Sequence, residues 1–276
     1  MFRDIGANLT NKAFAADLSS TLERAQSAGV CFIDVTGTDV ASSIRAARMA
    51  RERPDLLGAT AGIHPHWAKD CSPAALLEIE RLLALPEVLM CGEMGLDHAR
   101  NHSTPAQQAR AFEAQLDLAQ DCGKPLFLHC REAFGEFIEI LDRRPHLWSR
   151  AIVHCFTGGP DEARALAERG AWFGITGWIA DKRRNAPLLS ALPLIPLSRM
   201  MAESDAPYLM PVNRPKSQTR DRNEPAFVPW VVEAIAQSLG ASPEDIGRVL
   251  FDNAERLIGR ASPAPQASGS SSSSPR

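Results

Sequence analysis

The chain has 276 residues, of which 45% are hydrophobic and 23% charged, and its formal net charge at pH 7 is -3. This is the composition of an ordinary globular protein with enough chain for a large core. The balance of charge excludes a chain-wide basic field, so a polyanionic partner must bind at a local basic patch. No apolar run reaches about 18 residues, and the first residues lack a basic segment followed by an apolar one. We therefore expect neither a transmembrane helix nor a signal peptide.

The six cysteines are scattered along the chain without a Cys-x-x-Cys pair. Most of them lie in apolar, strand-like stretches, where a free cysteine behaves as a small buried hydrophobe. We therefore expect structural thiols and a reducing, cytoplasmic location.

Short apolar runs alternate along the chain with segments whose apolar residues recur at three- and four-residue spacing. The apolar runs predict eight strands, at Phe2–Ala7, Val30–Val35, Leu56–Gly62, Val88–Gly92, Pro125–Cys130, Ala151–Phe156, Trp172–Thr176 and Arg199–Glu203. The amphipathic segments predict helices at Ser20–Ala28, Ala41–Arg51, Pro73–Leu83, Ala106–Cys122, Glu132–Arg143, Asp161–Arg169, Pro225–Leu239 and Pro243–Ile258.

Eight β–α alternations with continuously apolar strands predict an α/β fold with a buried parallel sheet, closed into a TIM-type (β/α)8 barrel. A doubly wound open sheet is the alternative topology. We expect one barrel domain over residues 1–260. Residues 261–276, which are rich in Ser and Pro, are expected to form a disordered tail.

Polar side chains gather at the carboxyl ends of the predicted strands, where (β/α)8 barrels place their functional residues. Glu93 follows the fourth strand, His129 and His154 lie near the ends of the fifth and sixth, and Asp205 follows the eighth. Imidazoles with carboxylates suit Zn²⁺, Mn²⁺ or Fe²⁺ and, with more carboxylate and water, Mg²⁺. Glu93 can bridge two ions, and Asp205 can bind a metal or accept a proton from a metal-bound water. These residues predict a divalent metal site, whereas isolated structural histidines are the alternative.

The alternation of side chains along a strand indicates that imidazoles, not thiols, are the metal ligands. Neighbouring side chains of a strand point to opposite faces. If His129 and His154 face the barrel axis, Cys130 and Cys155 face the helices and serve as packing groups.

Six motifs in chain order carry a resemblance: Gly-Ile-His-Pro-His, Gly-Glu-Met-Gly-Leu-Asp, Leu-His-Cys-Arg-Glu-Ala, Val-His-Cys-Phe-Thr-Gly, Glu-Ser-Asp-Ala-Pro-Tyr-Leu and Arg-Asn-Glu-Pro. From the first strand to about residue 258, the chain resembles the TatD-type metal-dependent deoxyribonucleases. The resemblance implies a TIM-type barrel that hydrolyses phosphodiester bonds with a divalent metal. By motif position it implies metal ligands at Glu93, His129 and His154, the carboxylate of the nuclease site at Asp205, and site-lining histidines at His64 and His66.

The first strand departs from the family pattern, which usually opens with Asp-x-His-x-His. This chain has Gly6 and Asn8 in place of the two histidines. Gly6 has no side chain to offer, and Asn8 offers only a neutral amide oxygen, which makes it a candidate substrate contact. We therefore expect one firm ion site, and a second that is empty, weakly filled, or filled by Mg²⁺ through Asp205, Glu93 and water. The same opening resembles the subgroup described as Mg²⁺-dependent 3′-5′ exonucleases on single-stranded DNA and RNA, so Mg²⁺ is the expected ion and Mn²⁺ or Zn²⁺ the alternatives.

Positive charge is expected near the metal of a nuclease, and loops after the late strands supply it. Residues 211–222 hold four basic side chains and one acidic one, and residues 181–184 hold three and one. Arg131 lies two residues after His129 and could bind the scissile phosphate with both arms of its guanidinium. We expect substrate contacts from His66, Arg131, Lys216, Arg222 and Asn8, and base stacking is open to Trp67, Trp178 and Tyr208.

The hypothesis is hydrolysis of single-stranded DNA, with RNA as a second substrate, by a monomer that binds no membrane. Its catalytic residues are Asp205, His64 and Glu93: Asp205, with His64, accepts the proton of the attacking water, and Glu93 holds the metal. Two other functions stay open because one fold hosts many chemistries. They are a metal-dependent ester or amide hydrolase, such as a D-aminoacyl-tRNA deacylase, and a non-catalytic nucleic-acid binder.

Overall fold

The computed structural model describes residues 1–215 and 222–260. Within these ranges, eight parallel strands follow one another in chain order around a single sheet. The first strand and the segment after the eighth close this sheet, since the backbone N–H of Asn8 donates to the carbonyl of Ala206 at 2.7 Å. The predicted (β/α)8 barrel is therefore confirmed, and the open doubly wound sheet is wrong. The expected disordered tail, residues 261–276, lies outside the described residues.

The strands lie close to their predicted positions, with one large difference in the fourth. They are β1 Phe2–Ala7, β2 Val30–Val35, β3 Leu57–Ala61, β4 Val88–Asp97, β5 Leu126–Arg131, β6 Ala151–Val153, β7 Trp172–Ile175 and β8 Met200–Ala202. β4 does not end at Gly92 but runs on to Asp97, because its last residues pair with β5 as far as Arg131. Gly95 permits this pairing, since a Cβ at that position would collide with the carbonyl oxygen of His129.

Helices between the strands cover the outside of the barrel. Among the described residues they are α1 Leu18–Ser27, α2 Val40–Glu52, α3 Pro73–Leu83, α4 Pro105–Cys122, α5 Phe134–Asp142, α6 Pro160–Arg169, α7 Ala186–Ala191, α8 Val228–Leu239 and α9 Pro243–Leu257. Short 3-10 turns at Pro65–Asp70 and Gly177–Ala180 form parts of the loops at the carboxyl end of the sheet. In the described part of the chain, none of the helices has the length and apolar character needed to cross a membrane.

The inside of the barrel is apolar in its lower part, away from the carboxyl ends of the strands, and polar at those carboxyl ends. Phe127, Ile152 and Met201 belong to one buried cluster inside the barrel. Because residues two apart on a strand share a face, His129, His154 and Glu203 continue the same inward-facing rows. Those rows end at the carboxyl edge of the sheet, so the apolar plug forms the floor of a polar site. This is the orientation that the period of the strands predicts for His129 and His154.

A buried carboxyl group on β1 joins the two ends of the sheet. Asp4 is fully buried, and its Oδ1 accepts hydrogen bonds from the backbone N–H groups of Ser204 at 2.8 Å and Gly6 at 3.2 Å. Its Oδ2 lies 2.5 Å from the hydroxyl of Ser204. Burial raises the pKa of Asp4 to about 8, although the hydrogen bonds to Ser204 oppose the shift. Asp4 is therefore protonated at neutral pH and links β1 to the segment that follows β8.

Because the pKa of Asp4 rises from 3.8 to about 8 on folding, the folded protein holds this proton more tightly than the unfolded chain does. Its contribution to stability is complete below the lower value and is lost as pH rises toward the higher one. The free energy of unfolding of the wild-type protein should therefore fall between about pH 5 and pH 8. We predict that this fall is smaller in Asp4→Asn by more than about 1 kcal/mol. Urea unfolding of both metal-free proteins across this interval measures the effect, and equal pH slopes would contradict it.

Candidate metal centre

The carboxylate of Glu93 lies at the centre of the polar end of the barrel. Glu93 is only 4% exposed, and its Oε1 atom is contacted by imidazoles from three different parts of the chain. Nε2 of His154 lies 2.8 Å from this oxygen, and Nδ1 of His129 lies 2.9 Å from it. Nε2 of His64 lies 3.2 Å away. These histidines follow β3, lie on β5 and follow β6, so closure of the barrel brings them to one oxygen atom.

The carboxylate of Glu93 and the imidazoles around it shift one another's pKa values. Burial raises the pKa of Glu93, but the imidazoles, His154 first and then His64, outweigh burial and hold that pKa well below its usual range. Burial lowers the pKa of His154, but the carboxylates of Glu93 and Glu203 outweigh burial and raise it well above its usual value. Burial lowers the pKa of His64 to about 4. At neutral pH the imidazole of His64 is therefore uncharged. Its Nδ1 accepts the backbone N–H of His66 at 3.1 Å, so its Nε2 carries the proton and faces Glu93 as a donor.

These side chains fit a divalent cation. The ligand atoms of His64, Glu93 and His129 all lie within 4.8 Å of one another. Nε2 of His154 lies 3.4 Å from Nδ1 of His129 and faces the same point. A set of imidazole nitrogens and a carboxylate oxygen suits Mn²⁺, Zn²⁺ or Fe²⁺, whereas Mg²⁺ requires further oxygen ligands. A metal ion would displace the protons that the imidazoles share with Glu93.

Asp205 lines the same cavity as Glu93 from the loop after β8. Its Oδ1 accepts a hydrogen bond from the side-chain amide of Asn8 at 3.0 Å. Burial raises the pKa of Asp205 to about 7, opposed by His154 and reinforced by Glu93. A carboxyl group that titrates near neutral pH is suited to accept a proton during hydrolysis. Asn8, expected to contact substrate, uses one amide N–H to orient Asp205.

The first strand has no room for a side chain at Gly6. A Cβ at this position would lie 2.6 Å from Cζ of Phe127 and 2.7 Å from Oε2 of Glu203. Glu203 is fully buried. Its Oε1 accepts the backbone N–H of Cys155 at 2.5 Å, and its Oε2 lies 3.4 Å from Nδ1 of His154. A carboxylate that follows β8 thus takes the space that an imidazole on β1 would need.

Two acidic residues of this site, Glu203 and Asp97, are missing from the sequence-based expectations. Strand periodicity would identify Glu203, because it lies two residues after the inward-facing Met201. Asp97 closes the motif Gly-Glu-Met-Gly-Leu-Asp, but strand periodicity assigns it no face, because the apolar run that predicts the fourth strand ends at Gly92. The structure extends β4 to Asp97 and buries this residue to 1% exposure.

A cavity of about 690 Å³ opens above Glu93. His66, Trp67, Tyr208 and Trp178 line it together with basic side chains from four separate segments of the chain, namely Lys12, Arg45, Arg100 and Arg131. Trp67 and Tyr208 are 44% and 53% exposed. The loop at 181–184 is expected to bring positive charge to the metal site. Its Arg183 and Arg184 instead pair with the carboxylate of Asp181 at 2.7 and 2.9 Å. Among the described residues, neither of these arginines lines the cavity.

Arg222 also lies apart from the cavity lining, contrary to its expected role as a substrate contact. Its Nη2 lies 2.6 Å from Oδ1 of Asp17 and 3.3 Å from Oε1 of Glu224, and its guanidinium covers the ring of Phe14 at 4.3 Å. Two carboxylates and an aromatic ring therefore hold Arg222 against the start of α1. Lys216, expected to bind substrate, lies outside the described residues.

Comparison with known proteins places this geometry in a family. The family described as TatD-related DNases matches residues 3–259. A 3′-5′ ssDNA/RNA exonuclease TatD from Edwardsiella piscicida is 47% identical over 259 residues, which cover 92% of this chain and 98% of that protein. A protein of the same description from Erwinia billingiae is 44% identical, with 92% and 98% covered.

Solved structures agree with the sequence match. A TatD homologue from Escherichia coli superposes with a TM-score of 0.84 at 25% identity, covering 93% of this chain and 97% of the other. A TatD-family hydrolase from Entamoeba histolytica has the same fold, with a TM-score of 0.83 at 22% identity and 93% and 97% covered. The resemblance carried by the six motifs is confirmed: this chain belongs to the TatD-related DNase family, a family of metal-dependent nucleases.

Proposed function

We propose that this chain is a metal-dependent 3′-5′ exonuclease that acts on single-stranded DNA and RNA. The observation that carries the proposal is the convergence of the imidazoles of His64, His129 and His154 on one oxygen of Glu93, with Asp205 in the same cavity. The relatives described as 3′-5′ ssDNA/RNA exonucleases match 92% of this chain. They support a nuclease over the aminoacyl-tRNA deacylase that the fold alone leaves open.

In the proposed mechanism, Glu93, His129 and His154 would hold the cation, and His64 lies beside them. When bound, a divalent cation stabilises charge on a phosphate oxygen and lowers the pKa of a water molecule. Asp205 accepts the proton as the water oxygen attacks phosphorus, while the P–O ester bond to the leaving oxygen breaks and that oxygen takes up a proton from solvent. The hydrogen bond from Asn8 keeps one carboxylate oxygen of Asp205 occupied and leaves the other to receive that proton.

The walls of the cavity supply the groups that a single strand requires. Arg131 ends β5 two residues after His129 and lines the cavity, so its guanidinium is available to a phosphate. Arg45, Lys12 and Arg100 add positive charge along the same walls. This arrangement suits a strand whose phosphates contact basic side chains.

We propose Mg²⁺ as the ion, with Glu93 as its carboxylate ligand and water molecules as its further oxygen ligands. The imidazoles around Glu93 also suit Mn²⁺ and Zn²⁺, which remain the alternatives. We propose one firmly held ion, because neither Gly6 nor Asn8 supplies an imidazole from β1. A monomer in solution and a location in the cytoplasm complete the proposal.

Replacement of Asp205 by Asn separates proton transfer from metal binding. We predict that Asp205→Asn lowers turnover of single-stranded DNA by at least about 100-fold, because an amide cannot accept the proton. Mn²⁺ affinity should stay close to wild type, because the imidazoles and Glu93 are unchanged. Digestion of 5′-labelled oligonucleotides, with Mn²⁺ titration by calorimetry, measures both quantities.

Asp70→Asn is the matched control, because Asp70 is an exposed carboxylate outside the cavity lining and its loss changes charge alone. Turnover near wild type in Asp205→Asn would remove Asp205 from the catalytic set. A ladder of 5′-labelled products that shortens one nucleotide at a time supports the proposed polarity. Release of the label as a mononucleotide from intact strands would reverse it.

An exposed aromatic ring on the cavity wall tests the mode of substrate binding. Stacking of a base on an aromatic side chain contributes about 1–3 kcal/mol. We predict that Tyr208→Ala raises KM for single-stranded DNA about tenfold with little change in kcat. Tyr208→Phe, which keeps the ring and loses only the hydroxyl contact with Asn11, should resemble wild type. Equal KM values for all three proteins would exclude stacking at Tyr208.

A further inference from the structure

The lysine and arginine side chains that line the cavity lie along one part of its rim. In the described lining they are Lys12 after β1, Arg45 on the helix after β2, Arg100 after β4 and Arg131 at the end of β5. The described lining residues that follow β7 and β8 include Trp178 and Tyr208 but no lysine or arginine. Because the strands follow chain order around the barrel, the rim has a basic arc from β1 to β5 and an aromatic arc after β7 and β8. A single strand whose phosphates contact the basic arc would turn its bases toward the aromatic arc.

On the aromatic arc, the indole ring of Trp178 is held from outside the cavity. The guanidinium of Arg184 lies over the ring, with Cζ 3.8 Å from the ring centroid. The indole Nε1–H donates to the backbone carbonyl of Arg184 at 3.2 Å. Among the described residues, Trp178 lines the cavity and Arg184 does not. The guanidinium therefore covers the outer face of the ring, and the inner face is turned to the cavity.

The turn that carries Trp178 is fixed by its own hydrogen bonds and by the next loop. The backbone N–H of Trp178 donates to Oγ1 of Thr176 at 3.3 Å, and its carbonyl accepts the N–H of Asp181 at 3.0 Å. A Cβ at Gly177 would collide with the carbonyl oxygen of Leu209, so this turn packs closely against the loop after β8. A ring that is ordered before a ligand arrives loses little conformational entropy when the ligand binds.

The charge of Arg184 is already compensated, so it is a poor candidate for a phosphate contact. Its Nε lies 2.9 Å from Oδ2 of Asp181, which also pairs with Arg183. The guanidinium instead contributes a cation–π contact that holds the indole in place. A nucleobase is the ligand that a flat aromatic face of this kind accepts, whatever the base sequence.

We propose that Trp178 is a nucleobase-stacking surface of the cavity and that Arg184, paired with Asp181, is the positioning residue that holds its ring. The proposal rests on the proposed action on single strands, because it assigns a base subsite to that substrate.

Two strands of equal charge separate contact with bases from contact with phosphates. One is an octamer of thymidylate, and the other is an octamer of abasic tetrahydrofuran nucleotides with the same phosphates. Fluorescence anisotropy in EDTA, where no metal-dependent cleavage occurs, gives a Kd for each. The base ratio, which is the Kd of the abasic strand divided by that of the thymidylate strand, should be at least about tenfold in wild type.

Replacement of Trp178 should change this ratio through the thymidylate strand alone. We expect Trp178→Leu to weaken binding of that strand about tenfold and to leave the abasic strand unchanged. Trp178→Phe, which keeps an aromatic face, should restore most of the base ratio. A wild-type base ratio in Trp178→Leu, or an equal loss on both strands, would overturn the proposal.

Arg183→Gln is the matched control for Arg184→Gln. Each variant removes one positive charge and one ion pair with Asp181, but only Arg184 covers the indole ring. We expect Arg184→Gln to lower the base ratio about two- to fivefold and Arg183→Gln to keep the wild-type ratio. Equal ratios in the two variants would overturn the role of Arg184. If circular dichroism shows that Trp178→Leu does not fold, this pair decides, since the side chain of Arg184 is 44% exposed.

The stacking surface and the nuclease activity fail in different ways. Binding in EDTA needs neither metal nor catalysis. If wild type shows a base ratio that depends on Trp178 but digests no strand in Mg²⁺ or Mn²⁺, the proposed function fails and the stacking surface is supported. If wild type digests thymidylate strands while its base ratio is independent of Trp178, only the stacking surface is overturned.

Discussion

The structure depends on the compensation of one buried charge, the carboxylate of Glu93. A carboxylate taken out of water without partners is too costly for a folded protein to retain in its ionised form. Imidazoles at 2.8, 2.9 and 3.2 Å from Oε1 provide that compensation. They belong to three separate β–α units, so no single unit can satisfy Glu93. The barrel must therefore close before the charge of Glu93 is compensated, and the same closure assembles the site.

The two ends of the sheet, β1 and the segment after β8, meet beside this charge. Their contacts show which groups occupy the places that histidines on β1 would take. Glu203 fills the space above Gly6, while Asn8 donates to Asp205. Asp4, buried and protonated, holds the same joint together through Ser204. The first strand thus acts by shaping and orienting carboxylates from the loop after β8. The imidazoles of the site are gathered around Glu93.

Much of this arrangement follows from the sequence, and the exceptions share a physical reason. The strand period of two places His129 and His154 on the inner face because apolar residues two positions earlier face the same way. The role of Arg222 depends on Asp17, which lies 205 residues away and carries no local sign of the pairing. Asp97 likewise becomes part of the site only because β4 pairs with β5 beyond Glu93. Local pattern predicts which face a residue occupies, whereas long-range pairing decides which charges are already satisfied.

The central claim is that the imidazoles around Glu93 hold a divalent cation. Crystals of the protein soaked in Mn²⁺ and measured at the manganese absorption edge test it directly. We expect one strong anomalous peak within about 2.3 Å of Oε1 of Glu93, with imidazole nitrogens of the surrounding histidines completing the coordination. An anomalous peak elsewhere in the cavity, with Glu93 still bound only by the histidines, would contradict it.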